Sequence, residues 1–139
     1  MTAESTETAE EVSLPAGRQP ELRMTTMPGD LNSSGDVFGG WIMSQLDLAG
    51  AIPARRLARG RVVTVAVNGV IFRQPVSLGD LVSFYAEVVR VGRTSITVDV
   101  KVYAERNPKC PTVVKVTEAT LTYVAVDENG NKRPVKPEA

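Results

Sequence analysis

The stretch Val37-Phe38-Gly39-Gly40-Trp41-Ile42-Met43-Ser44-Gln45-Leu46-Asp47-Leu48-Ala49-Gly50-Ala51-Ile52-Pro53-Ala54 carries a single charged side chain, Asp47. Its apolar residues recur at helical spacing. Phe38, Ile42, Leu46 and Ala49 mark one face, and Trp41, Leu48 and Ile52 another. A helix apolar on nearly every side is buried rather than laid on a surface. The pattern predicts a helix from Val37 or Phe38 to about Ala58, with Asp36 as N-cap and Gly60 just past the C-terminus. Arg55, Arg56 and Arg59 complement the dipole at that end. Pro53 predicts a kink or a restart.

Beyond Gly60 the periodicity changes from helical to alternating. Val62–Phe72, Leu81–Val91, Ser95–Tyr103 and Val113–Val126 are rich in β-branched residues and read as strands. Turn signals separate them at Pro75–Asp80, at Val91-Gly92-Arg93 and at Asn107-Pro108, and Asp127-Glu128-Asn129-Gly130 marks a last turn. In Ser95–Tyr103, Ile96, Val98, Val100 and Val102 alternate with Thr97, Asp99, Lys101 and Tyr103, so one face of that strand is wet. Ahead of the helix, residues 21–27 form a candidate first strand stopped by Pro28 and Gly29, and residues 28–36 a loop. Residues 1–20 lack periodicity and read as a disordered acidic leader, leaving 21–139 as one domain. The fold class is α+β: one long buried helix and a mainly antiparallel sheet of about five strands curled around it. One sheet covers only one side of a helix, so a second copy or a long loop must cover the other, and at least a dimer is expected.

Charge and composition narrow the chemistry. Residues 1–21 hold five glutamates against Arg18, whereas residues 48–125 hold eleven Lys and Arg against five Asp and Glu. A mildly basic body suits a small polyanionic ligand better than a nucleic-acid duplex, which calls for a denser basic stripe. The 139-residue chain contains no histidine, which excludes Ser-His-Asp and Cys-His catalysis and any histidine-ligated metal. Cys110, the only cysteine, excludes an intrachain disulfide and reads as an incidental loop thiol. No apolar run reaches the ~18 residues of a membrane span, and the N-terminus does not read as a signal peptide, so a cytoplasmic setting is expected.

The run Met27-Pro28, Asn32 and Gly35-Asp36-Val37-Phe38-Gly39-Gly40-Trp41-Ile42-Met43-Ser44-Gln45-Leu46-Asp47 resembles the hotdog-fold acyl-CoA thioesterases, in particular the YciA-like branch. So do Gly60-Arg61-Val62-Val63-Thr64-Val65, Arg73-Gln74-Pro75-Val76, Gly79-Asp80, Gly92-Arg93-Thr94-Ser95, Thr117-Glu118-Ala119 and Val124-Ala125-Val126-Asp127. The resemblance covers roughly residues 22–135. It implies dimers whose sheets join edge to edge, often assembled as trimers of dimers (hexamers). It also implies active sites at the dimer interface that cleave acyl-CoA to a carboxylic acid and coenzyme A. The family's catalytic carboxylate falls on Asp47 and its loop asparagine on Asn32. Two positions depart from the pattern: Pro53 stands where relatives carry a helix former, and Asn68 where many carry an acid.

Thioester hydrolysis needs a base or nucleophile and a place for the developing oxyanion. A carboxylate in apolar surroundings is costly unless paired or protonated, and more often serves chemistry than stability. Asp47 is therefore the candidate general base or nucleophile; a structural carboxylate paired inside the core is the competing reading. Gly39 and Gly40 weaken the helix start by roughly 1 kcal/mol each. Their N–H groups, with the Asn32 amide, are candidates to polarise the carbonyl; close packing against a strand is the competing reading. Arg61, Arg93, Thr94 and Ser95 are the substrate-binding candidates for the phosphates of coenzyme A. Phe38 and Trp41 read as core. No resident cofactor or metal is expected, since coenzyme A enters as part of the substrate. The alternative function is a non-catalytic acyl-CoA-binding or sensing module, which has no need of Asp47.

Overall fold

In the computed structural model, which describes residues 12–136, the stretch around Asp47 forms one helix, α1 (Gly39–Ala58). Five strands accompany it: β1 (Leu22–Thr25), β2 (Val62–Phe72), β3 (Leu81–Val91), β4 (Ser95–Arg106) and β5 (Thr112–Ala125). They form a single antiparallel sheet in the order β1-β3-β4-β5-β2. The short turns expected between successive strands join β3 to β4 and β4 to β5. The chain between β2 and β3 instead crosses over, placing β2 beside β5. The crossover is pinned by Asp80, which is buried, pairs with Arg106 at 2.8 Å and accepts the Ser77 N–H. Cys110 lies exposed between β4 and β5. Of the leader expected over residues 1–20, residues 1–11 lie outside the described residues; Arg18 is placed against Glu87 at 3.1 Å.

The helix lies across the sheet and touches all five strands. Ile42, Leu46, Ala49, Gly50, Ala54 and Ala58 form its buried stripe at three- and four-residue spacing. They meet inward residues of the sheet that include Phe84, Val98, Val100, Leu121 and Tyr123, all of them buried. Trp41 packs on Phe84 with ring centroids 6.4 Å apart. The opposite face is open in the single chain. Leu48 is 57% exposed, and Phe38 and Met43 are also exposed. Phe38 thus lies outside the core of the single chain, and within that chain α1 is buried along one face.

The helix ends also differ from expectation. The N-cap is Phe38, not Asp36. An antiparallel bridge between Leu31 and Val37 keeps the chain extended past Asp36. Asp36 closes the loop: its N–H donates to Asn32 Oδ1 and its carbonyl accepts the Asn32 N–H. At the C-terminus the left-handed residue is Arg59 (φ 53°), not Gly60. Gly60 serves close approach instead, because a Cβ there would lie 2.7 Å from Arg133 Nη2. That guanidinium donates to the Ala58 carbonyl and so caps the helix. Pro53 neither ends nor restarts the helix. Its cost, about 3 kcal/mol, is offset by burial of Ala54 and Ala58 beyond it.

Candidate active site

Asp47 lies a little over two turns into α1. Its carboxylate is met by two hydroxyls from the sheet. Thr64 Oγ1 donates to Oδ1 at 2.6 Å, and the Tyr123 hydroxyl reaches the same oxygen at 3.1 Å and the Asp47 main-chain carbonyl at 2.8 Å. Thr64 on β2 and Tyr123 on β5 are direct cross-strand partners. Paired residues share a face of the sheet, which is why the two hydroxyls converge. Tyr123 is fully buried; burial first, and then the neighbouring Asp47 charge, push its ionisation well above that of an ordinary phenol. It remains a proton donor. The carboxylate thus has the polar partners that its apolar stretch lacks, and they belong to other elements of the same chain.

Gly50 permits this arrangement. A Cβ at position 50 would lie 2.5 Å from the Tyr123 hydroxyl, closer than any side chain tolerates. Thr64, Tyr123 and Gly50 are the site residues that sequence reasoning missed. The available signal was Gly50, a mid-helix glycine with the same roughly 1 kcal/mol cost that drew attention to Gly39 and Gly40. Nothing local marks the two hydroxyls, which meet only through strand register.

Asn32 sits in the loop that feeds the helix. Its side-chain oxygen accepts the N–H groups of Ser34 and Asp36 at 2.9 and 3.1 Å, so only its amide nitrogen is left to donate elsewhere. The N–H groups of Gly39 and Gly40 have no acceptor among the described residues. A Cβ on Gly40 would meet nothing within 4 Å, and one on Gly39 would make an ordinary 3.7 Å contact with Phe72. Close packing inside the chain therefore does not account for this pair of glycines. Gly39 instead lines a cleft of about 300 Å³ with Phe72, Arg73 and Gln74.

The predicted phosphate-binding residues lie away from the helix start, and their two arginines are divided between two cavities. The Arg61 carbonyl accepts the Val126 N–H and the Thr94 carbonyl accepts the Ala125 N–H, so Arg61 and Thr94 flank the end of β5. Arg61 lines a cavity of about 810 Å³ with Ile52, Arg55, Arg56, Arg59 and Val62. Arg56 pairs with Glu21 at 3.1 Å; the other three arginines have no carboxylate partner among the described residues. Arg93 lines a separate cavity with Lys136, and Ser95 Oγ lies against Gly92. No helix among the described residues is long and apolar enough to cross a membrane, and no His, Cys, Asp and Glu cluster among them has the makings of a metal site.

One chain therefore presents an anchored carboxylate, a basic cavity to one side and a bare helix start to the other. Gly40 and Asp47 are separated by about 10 Å along the axis. A reacting atom about 3 Å from both a nucleophile and its oxyanion donors does not fit between groups so far apart. A long helix laid across a five-stranded antiparallel sheet is the architecture shared with a solved hotdog-fold thioesterase. The chain belongs to the thioesterase superfamily, whose family profile matches residues 34–111. It is 51% identical over 118 residues to an uncharacterized acyl-CoA thioester hydrolase of Buchnera aphidicola, covering 84% of this chain and 87% of that protein. It is 46% identical over 119 residues to the acyl-CoA thioester hydrolase YciA of Escherichia coli, covering 84% and 90%. Among solved structures, a hexameric hotdog-fold thioesterase of Campylobacter jejuni superposes with a TM-score of 0.83 at 48% identity, covering 86% of this chain and 91% of that one.

Proposed function

We propose that this protein hydrolyses acyl-CoA thioesters to a free carboxylic acid and coenzyme A. The observation that carries the reading is the Asp47 carboxylate, anchored through Oδ1 by Thr64 and Tyr123 with Oδ2 left over, in a chain whose relatives are acyl-CoA thioester hydrolases. Asp47 acts on the acyl carbon either by drawing a proton from water or by adding to it directly. In both cases the C–S bond breaks and the thiolate of coenzyme A leaves and is protonated. Water adds to the acyl carbon in the first route; in the second it opens the acyl–Asp47 anhydride, releasing the carboxylic acid and freeing Asp47.

The oxyanion is held by the N–H groups of Gly39 and Gly40 with the Asn32 amide, contributed by the helix start of a second copy. The roughly 10 Å between Gly40 and Asp47 along one helix supports that division. The exposed Leu48 and Met43, and the edge strand β2 with exposed Val65, Val67 and Ile71, supply a face for the second copy. The protein assembles as a dimer and, like the hexameric thioesterases it resembles, as a hexamer. Arg55, Arg59 and Arg61 receive the phosphates of coenzyme A. The wall of their cavity at Val62 is two residues, about 7 Å, from Thr64 along β2. The reaction runs in the cytoplasm and requires no resident cofactor.

The test is thiol release by the purified protein across a panel of acyl-CoAs, with the matching acyl-pantetheines alongside. Turnover of acyl-CoA with a lower KM than for acyl-pantetheine is expected. Absence of thiol release from every member of the panel would overturn the assignment, and equal KM values would remove the arginine cavity from it.

A further inference from the structure

We infer that Tyr123 positions Asp47 for reaction, and that Gly50 is kept free of a side chain to admit the Tyr123 hydroxyl. The inference rests on the hydrolytic reading of Asp47 and adds to it a division of labour between the two carboxylate oxygens. The Tyr123 hydroxyl reaches both the main-chain carbonyl and Oδ1 of one residue, at 2.8 and 3.1 Å. Its one proton is shared between these two acceptors and so ties the Asp47 side chain to its own backbone, where a free helical aspartate would sample several rotamers. Thr64 fastens the same oxygen at 2.6 Å. Oδ1 takes both donors, and Oδ2 has no donor among the described residues. Oδ1 is the anchor and Oδ2 the oxygen that meets water or the acyl carbon. Fixing that atom matters because a misplacement of about 1 Å costs on the order of 100-fold in rate.

The Tyr123 ring is a fixed post, fully buried between α1 and the sheet. The hydroxyl contacts the helix over Gly50, where a Cβ would lie 2.5 Å from the oxygen and 3.3 Å from two ring carbons. The two positions are therefore coupled. Gly50→Ala pushes the tyrosine hydroxyl away, whereas in a Tyr123→Phe background the added methyl fills the space the oxygen vacates. The remaining 3.3 Å contacts then ask for a shift of only a few tenths of an ångström.

That coupling separates positioning from packing. Turnover, KM and melting temperature are measured for wild type, Tyr123→Phe, Gly50→Ala and the double variant. Tyr123→Phe is expected to lower kcat about 10- to 100-fold with KM held within about twofold. Gly50→Ala is expected to lose both kcat and melting temperature, and the double variant to regain melting temperature while kcat stays low. Wild-type kcat in Tyr123→Phe, or kcat returning together with stability in the double variant, overturns the inference. A second readout does not depend on turnover: the Asp47 carboxyl ¹³C resonance is displaced by Tyr123→Phe and unmoved by the control Tyr85→Phe. An unmoved resonance in Tyr123→Phe overturns the inference. A wild-type protein that releases no thiol strikes the hydrolytic reading instead, and leaves the resonance to decide the positioning.

Discussion

The two ends of the candidate site are built in opposite ways. At Asp47 the carboxylate is held by hydroxyls from two strands, over a glycine that leaves room for one of them. Seven residues earlier, the helix begins with two glycines whose N–H groups face no acceptor among the described residues; a Cβ on Gly40 would meet open space and one on Gly39 only an ordinary contact with Phe72. The first arrangement is complete within a single chain. The second presents unsatisfied donors at the surface of that chain. On the proposed reading, the contrast would account for a small protein that needs assembly to act: the carboxylate half would set geometry, and the helix-start half would complete it across an interface.

The strongest way to break that contrast is to remove the carboxylate. Asp47→Asn keeps the volume and both hydroxyl contacts, so the fold and the assembly should survive while turnover falls by at least about 100-fold. Near-normal thiol release in this variant would make Asp47 a structural residue. Next comes the open face. Leu48→Arg places a charge on the exposed apolar side of α1, and sedimentation should show smaller species, with turnover falling about tenfold or more at low protein concentration. An assembly that stays intact would remove that face from the interface. Gly40→Ala then asks what the bare helix start does. Since a Cβ there meets nothing within the chain, helix stability should hold or rise by up to about 1 kcal/mol, while kcat drops about tenfold. Lost stability with unchanged kcat would favour packing against a partner over a donor role.

The smallest effect lies away from both halves. The Glu118 carboxyl is held down at about 2, from an ordinary 4.5, by hydrogen bonds from Lys115 and then Arg73. Its contribution to stability is complete above pH 4.5 and is lost as pH falls through about 2. Glu118→Gln should therefore lower stability at neutral pH by about 0.5 kcal/mol, the scale of solvent-screened surface pairs. The difference from wild type should vanish near pH 2, as followed by denaturant midpoints. A constant difference across that range would show that the pair does not titrate with folding.

What was legible in the sequence follows the range of the forces involved. Helical spacing from Phe38 to Ala58 and the alternation of Ile96, Val98, Val100 and Val102 are local, and both elements form where the pattern places them. The pairing of β2 with β5 is not local. It brings Thr64 against Tyr123, and no spacing rule connects those two positions. Asp36 misleads as an N-cap because propensity describes the side chain, whereas the Leu31–Val37 bridge decides where the backbone leaves its extended course. Gly60 misleads for the reverse reason: its role is to make room for Arg133, a residue the chain reaches only after four more strands. Asp47 stood out in the sequence because it was the one charge in an apolar run. What holds it there became visible only in three dimensions.

Strand β2 carries a consequence for how the protein reaches its working state. It is an eleven-residue edge strand with one long side unpaired in the isolated chain, and its exposed Val65, Val67 and Ile71 add a sticky margin. An edge of that length is a template for unintended cross-strand growth until another copy covers it. With a second copy docking there, as proposed, newly made chains would face a race between docking and aggregation. Because docking is a mass-action process, heat resistance should climb with protein concentration.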